Sequence, residues 1–147
     1  MVAALEVVNL TVAYRAGARW LDAVRDVSLR IEPGQTYGLV GESGSGKSTL
    51  ALAILRYLAE NGAIRRGTVR LAGRDLTQLS PAEMGPIWRR ELKLVPQDPL
   101  ASLNPSMVVG EQLTEAVGNE DGRRAGSERA MDMLRLVRMP DPARVYH

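Results

Sequence analysis

The densest chemistry in this chain lies in nine consecutive residues, Gly41-Glu42-Ser43-Gly44-Ser45-Gly46-Lys47-Ser48-Thr49. They fit the spacing G-x-x-x-x-G-K-[ST]. Glycine adopts backbone angles that other residues resist, so successive N–H groups in such a loop can point into one hollow and hold an anion. A helix starting at the end of the loop adds its dipole and its unpaired first-turn amides. In that arrangement Lys47 supplies a mobile ammonium for β- and γ-phosphates, the Ser48 hydroxyl a ligand for Mg2+, and Thr49 a contact to the α-phosphate. The plain alternative is a Gly-rich linker with a stray Lys. Average residue usage makes a chance match on the order of one in a few hundred at this length, and the flanking strand and helix patterns weigh further against it.

The lysine is informative by its rarity. Lys47 and Lys93 stand against 17 arginines, so a Lys here suggests a site that needs a compact, flexible point charge instead of a planar fork. Gln97 is the second candidate. It opens the stretch Gln97-Asp98-Pro99-Leu100-Ala101-Ser102-Leu103-Asn104-Pro105, and its amide oxygen could ligate Mg2+ and position a water near a γ-phosphate. Taken alone, a polar residue capping a loop is the plainer reading of Gln97.

These groups need elements to position them. In residues 5–14, Val8, Leu10, Val12 and Tyr14 alternate with Asn9, Thr11 and Ala13, which predicts a strand; Leu5 and Val7 sit in the opposite phase, so a bulge or a strand start is expected near Val8. Residues 15–19 read as a polar loop, 27–31 as a second strand, and Pro33-Gly34 as a turn. Residues 36–40 read as a short apolar strand ending at Gly41, and 48–58 as a helix apolar on nearly every side, hence buried, stopping at Asn61-Gly62. A strand is expected at 68–72. Ser80-Pro81-Ala82-Glu83 has the pattern of a capped helix start, which Gly85-Pro86 should interrupt soon after. A short strand at 92–95, closed by Pro96, precedes two helices at 109–117 and 127–139, joined by a charged, Gly-rich connection at 118–126. Ala130, Met133, Leu134 and Val137 make the apolar face of the second helix. This order of elements indicates a mixed α/β fold.

Composition bounds the function. The 147 residues carry 19 Lys+Arg against 17 Asp+Glu, and 45% are hydrophobic, which suits one folded domain. No Cys is present and the one His is His147, which removes thiolate nucleophiles, disulfides and multi-His metal sites. The longest apolar run, residues 50–55, is far short of the ~20 residues that cross a bilayer, so no membrane span of its own is expected. The first residues show no secretory pattern, and the cytoplasm is the expected compartment. The arginine pairs at 65–66, 89–90 and 123–124 read as solvated surface, with no aromatic-interleaved stripe to suggest direct nucleic-acid binding.

Together, the loop at 41–49, the Gln97-Asp98-Pro99 segment and the aromatic-bearing first strand resemble the ATP-binding subunits of ABC transporters. The loop and Ser102-Leu103-Asn104-Pro105 look like the branch serving oligopeptide, dipeptide, nickel and glutathione importers. The loop alone is shared by many NTPases; its combination with the Gln segment at this distance is specific to ABC proteins. The resemblance, which covers about residues 5–147, implies a P-loop NTPase fold of the ABC ATPase type. An antiparallel β subdomain would take 1–35 and 64–75, a P-loop core 36–63 and 91–98, and a partial helical subdomain 106–147. It implies ATP and Mg2+ as cofactors. Tyr14 would stack on adenine, Val24 would line the base pocket, and the loop Gly41, Ser43, Gly44, Ser45, Gly46, Lys47, Ser48 and Thr49 would hold the phosphates. Ser48 and Gln97 would meet the metal. It implies permease subunits in the membrane and a second ATP-binding subunit as partners, at the inner face of the cell membrane. Trp20 and Trp88 read as packing against loops.

The family pattern also includes a Leu-Ser-Gly-Gly-Gln-like signature, an apolar strand ending in Asp and a catalytic Glu, and a later switch His; this sequence shows none of them. Residues 144–147 look like the segment just ahead of the signature. The expectation is therefore an N-terminal portion of a longer subunit, with an incomplete central sheet, an unpaired edge beside the loop's strand, and slow hydrolysis by this chain alone. A nucleotide-binding or regulatory fragment without turnover, and a non-transport ABC protein (for example in phosphonate breakdown), are the alternatives.

Overall fold

A computed structural model describes residues 2–98, 102–118 and 122–147. The chain divides into two compact units, residues 1–86 and 87–147.

The first unit is built on a four-stranded antiparallel sheet: β1 (Leu5–Ala16), β2 (Arg19–Ile31), β3 (Gly62–Leu71) and β4 (Arg74–Asp75), in the order β2-β1-β3-β4. The phase slip legible in β1 is a bulge. Val7 faces the core, and so do Leu10 and Val12, all almost fully buried, which strict alternation forbids. The chain corrects its phase at Asn9, which takes φ 48°. Asn9 N–H donates to Ser28 Oγ (2.8 Å) and its side chain to Asp26 Oδ1 (2.9 Å). Gly67 lies opposite at φ 84°, where a Cβ would sit 2.4 Å from the Val8 carbonyl oxygen. The ladder shifts register on both sides of this point.

Strands β2 and β3 both run longer than predicted. The expected loop at 15–19 is mostly strand: Arg15 pairs with Trp20 and Ala16 with Arg19, leaving Gly17 (φ 61°) and Ala18 to turn. The first half of β2 exposes Trp20 and Leu21, so no alternation marks it, and pairing with β1 makes it a strand. Trp20 packs under the Arg65 guanidinium of β3, 4.8 Å from the ring centroid, instead of against a loop. Asp75 accepts from Thr77 N–H (2.7 Å), and its Thr77 hydrogen bonds hold its carboxyl below the ordinary carboxylate value.

Two predicted strands are not there. Residues 36–40 and 92–95 run without strand structure, with Val40 and Val95 more than nine-tenths exposed. An apolar run becomes a strand only when its N–H and C=O groups find a ladder, and neither segment pairs with another among the described residues.

Helix α1 (Lys47–Ile54) is shorter than the predicted 48–58. Its end is set before Asn61-Gly62 by Arg56, which enters the left-handed region at φ 57°. Arg56 N–H then bonds Ala53 O (3.0 Å) and Tyr57 N–H bonds Leu52 O (2.8 Å), the paired closure of a Schellman motif. Leu50, Ala53 and the C-cap Leu55 are buried, but Leu52, Ile54 and Leu58 are only half-buried and Tyr57 is exposed, so the segment is not enclosed on every side as expected.

Helix α2 (Pro81–Arg90) begins in the first unit with the expected box. Glu83 Oε2 accepts from Ser80 N–H (2.8 Å) and Ser80 Oγ (2.6 Å). The interruption at Gly85-Pro86 does not occur, and Pro86 lies inside the helix. Proline deletes one i−4 bond; burial of Met84 and Ile87, each 1% exposed, accompanies the continued helix.

The second unit contains α3 (Val109–Val117), as predicted, α4 (Arg123–Leu136) and α5 (Pro142–Tyr146). Helix α4 starts four residues before the expected 127 and takes in Gly126, which is buried. Of its predicted apolar face, Ala130 and Leu134 are buried, but Met133 and Val137 are 51% and 66% exposed. The helix ends at Arg138 (φ 55°) by the same paired closure as α1; Met133 and Val137, four residues apart, share a face beside the buried one. Helix α5 was not legible in the sequence. It rests on α3 at Gly110, where a Cβ would lie 2.6 Å from the Tyr146 ring, and the Tyr146 hydroxyl meets Thr114 Oγ1 (2.9 Å) and Ser127 Oγ (2.8 Å). Among the described residues no helix is long and apolar enough to cross a membrane.

Candidate functional site

The loop ahead of α1 is shaped by its glycines. Gly44 and Gly46 take φ 80° and 90°, and Gly46 is the N-cap residue of the helix. A Cβ at Gly46 would stand 2.5 Å from the Ala23 carbonyl oxygen and 3.3 Å from Val24 Cγ2. Both backbone angle and space therefore demand glycine there. Ser45 N–H donates to Glu42 O (3.2 Å), closing the turn, and Leu50 N–H donates to Gly46 O (2.8 Å), starting the helix.

Helix α1 opens with no side-chain cap and no acidic residue in its first turn. Its dipole is thus left uncompensated at an end rich in amide donors. The Lys47 ammonium folds back over the loop, where Nζ donates to Gly41 O (2.7 Å), Glu42 O (2.6 Å) and Ser45 Oγ (3.3 Å). A cation held at a helix N-terminus raises the positive potential there. This arrangement can bind an anion, and it fits the polyphosphate expected from the sequence.

The loop borders an open cavity of ≈ 340 Å3, whose walls include Val24, Val27 and Leu39 together with Gly41, Ser45 and Lys47. Val24, expected to line a base pocket, lines this cavity beside the loop. Ser43 and Gly44 are exposed in the loop; Ser48 is exposed and Thr49 half-buried in the first turn of α1. Tyr14 is half-buried in β1, paired with Leu21 and Gly62, and does not line this cavity. Gln97 is exposed in the second unit; Pro99, Leu100 and Ala101 of its segment lie outside the described residues. Reading side-chain types missed Ala23. It acts through its carbonyl oxygen, so no residue type announces it.

A glycine-shaped loop entering an uncapped helix is the arrangement of a P-loop NTPase. Residues 24–146 match the ABC transporter family model, and the chain belongs to that family. Among curated proteins it is 42% identical over 142 residues to a protein of Brucella abortus (strain 2308) named for peptide import and ATP binding, covering 95% of this chain and 43% of that protein. It is 37% identical over 141 residues to the oligopeptide transport ATP-binding protein OppD of Bacillus subtilis (strain 168), covering 94% and 39%. The chain thus spans less than half the length of these relatives. Its fold matches a solved dimeric ATP-binding cassette in a post-hydrolysis state bound to ADP and Pi, with TM-score 0.77, 23% identity, and coverage of 93% of this chain and 58% of that one.

Proposed function

We propose that this chain binds Mg-ATP at the Gly41–Thr49 loop as part of the nucleotide-binding subunit of an ABC importer for peptides, nickel or similar solutes. The observation that carries the reading is the uncapped start of α1 at Gly46, locked against Ala23 O and covered by Lys47. The relatives named for peptide and oligopeptide import support the importer assignment.

In this reading the amides of residues 44–49 hold the phosphate chain. Lys47 keeps its short bonds to Gly41 O and Glu42 O and trades its longest, to Ser45 Oγ, for a phosphate oxygen. The Ser48 hydroxyl would hold Mg2+, which when bound neutralises charge on the β- and γ-phosphate oxygens. Val24 lines the approach to the base, Tyr14 is the aromatic platform for adenine, and Gln97 completes the metal and γ-phosphate contacts. The complete transporter would pair this subunit with a second ATP-binding subunit, dock both on permease subunits at the inner face of the membrane, and couple ATP hydrolysis to solute movement.

Competition against a fluorescent ATP analogue tests the site. ATP and ADP should displace the analogue, and AMP and adenosine should be at least about tenfold weaker, because charge-assisted contacts to the β- and γ-phosphates are lost. Equal competition by AMP and ATP would contradict the reading.

A further inference from the structure

The Asn61-Gly62 pair reads in the sequence as a helix stop, but the structure gives it other work. It forms the corner at which the chain leaving α1 enters β3. Gly62 stands directly across the ladder from Tyr14. A Cβ at Gly62 would lie 2.7 Å from Tyr14 Cε1 and 3.1 Å from Cδ1, well inside van der Waals contact. The Cδ1–Cε1 side of the ring therefore occupies the space that any other residue at position 62 would fill. Gly62 is not among the residues with positive φ, so the backbone places no demand for glycine there. What its missing side chain provides is room for the ring.

The corner is also tied to the residue after Tyr14. Arg15 N–H donates to Asn61 O (2.7 Å), and Asn61 Nδ2 donates to Arg15 O (3.3 Å), so both peptide groups of Arg15 are held by one residue. Gly62 N–H closes the corner onto Ala59 O (2.8 Å). The Tyr14 ring thus lies in the room that Gly62 leaves, and the residue that follows it is tied to Asn61, while Tyr14 itself is only half-buried. The corner follows directly from α1, whose opposite end carries the phosphate loop.

We infer that the Asn61-Gly62 corner is a positioning element that holds the Tyr14 ring in the pose from which it contacts the nucleobase. The inference rests on the reading of Tyr14 as the adenine platform. It assigns to Gly62 and Asn61 an effect on affinity for the base and none on affinity for the phosphates.

The test compares Mg-ATP with Mg-tripolyphosphate by calorimetry on the full chain, since the second probe has phosphates but no base. Tyr14→Ala should weaken ATP about tenfold, the scale of one base–aromatic stack. Gly62→Ala should weaken it about fivefold by pushing the ring aside, and Asn61→Ala about threefold by removing the Nδ2 bond to Arg15 O while the backbone bond from Arg15 N–H to residue 61 remains. All three should change tripolyphosphate affinity less than about twofold. An added Cβ at Gly62 also presses on Ala59 O at 3.2 Å; if that variant does not fold, Asn61→Ala decides. ATP affinity lost in Tyr14→Ala but unchanged in Gly62→Ala and Asn61→Ala would overturn the positioning role and leave the platform standing. Unchanged ATP affinity in Tyr14→Ala would remove the platform and this inference with it. Equal losses for both probes in the corner variants would mark the corner as purely structural and overturn the inference.

Discussion

Helices α1 and α2 begin in opposite ways. Helix α2 satisfies itself: Ser80 and Glu83 exchange hydrogen bonds across the first turn, the carboxylate sits at the positive end of the dipole, and Ser80 holds the Glu83 carboxyl below its ordinary value. Helix α1 has Gly46 where α2 has Ser80, no carboxylate in its first turn, and a lysine instead. Glycine at the N-cap in place of serine forgoes only about a few tenths of a kcal/mol of stability. The contrast is between a helix start closed by its own side chains and one whose amide donors no side chain caps.

Four substitutions would break or sharpen this contrast. The largest effect is expected from Gly46→Ala, whose Cβ would meet Ala23 O at 2.5 Å in a backbone conformation unsuited to alanine. It should cost about 2 kcal/mol of stability in urea unfolding and lower nucleotide affinity about a hundredfold, from strain and a displaced loop together. Lys47→Ala should weaken ATP by at least about 1.5 kcal/mol in the competition assay, from the lost charge-assisted contact. Ser80→Ala should cost about 1 kcal/mol of stability, read by the same unfolding experiment, with ATP affinity unchanged. If it weakened ATP as strongly as Lys47→Ala, the division between a closed and an open helix start would fail. The smallest effect is expected from Arg138→Gly. It relieves an arginine at φ 55° beyond the end of α4 and should raise the unfolding free energy by up to about 1 kcal/mol, leaving nucleotide binding alone.

What could be read in advance was what lies in local residue types. The loop at 41–49, the Ser80–Glu83 box and the phase slip in β1 are each written within a few neighbouring residues. What could not be read depends on partners distant in sequence. Residues 36–40 have the composition of a strand, but composition supplies no ladder. The first half of β2 lacks alternation and is a strand because β1 pairs with it. Pro86 should break a helix by local rules, and α2 continues through it with Met84 and Ile87 buried. At the site, Ala23, which meets Gly46 through a carbonyl oxygen, leaves no trace in residue type. The same holds for Gly62, which looks like a turn glycine and leaves the space that the Tyr14 ring occupies.

The most direct test is titration of Mg-ATP into the folded 147-residue chain and into Lys47→Ala, with circular dichroism confirming the fold of both. The account predicts saturable heat for the native chain and a binding constant at least about tenfold weaker for the variant. Saturable binding of equal strength in both, or no heat with the native chain, would contradict it.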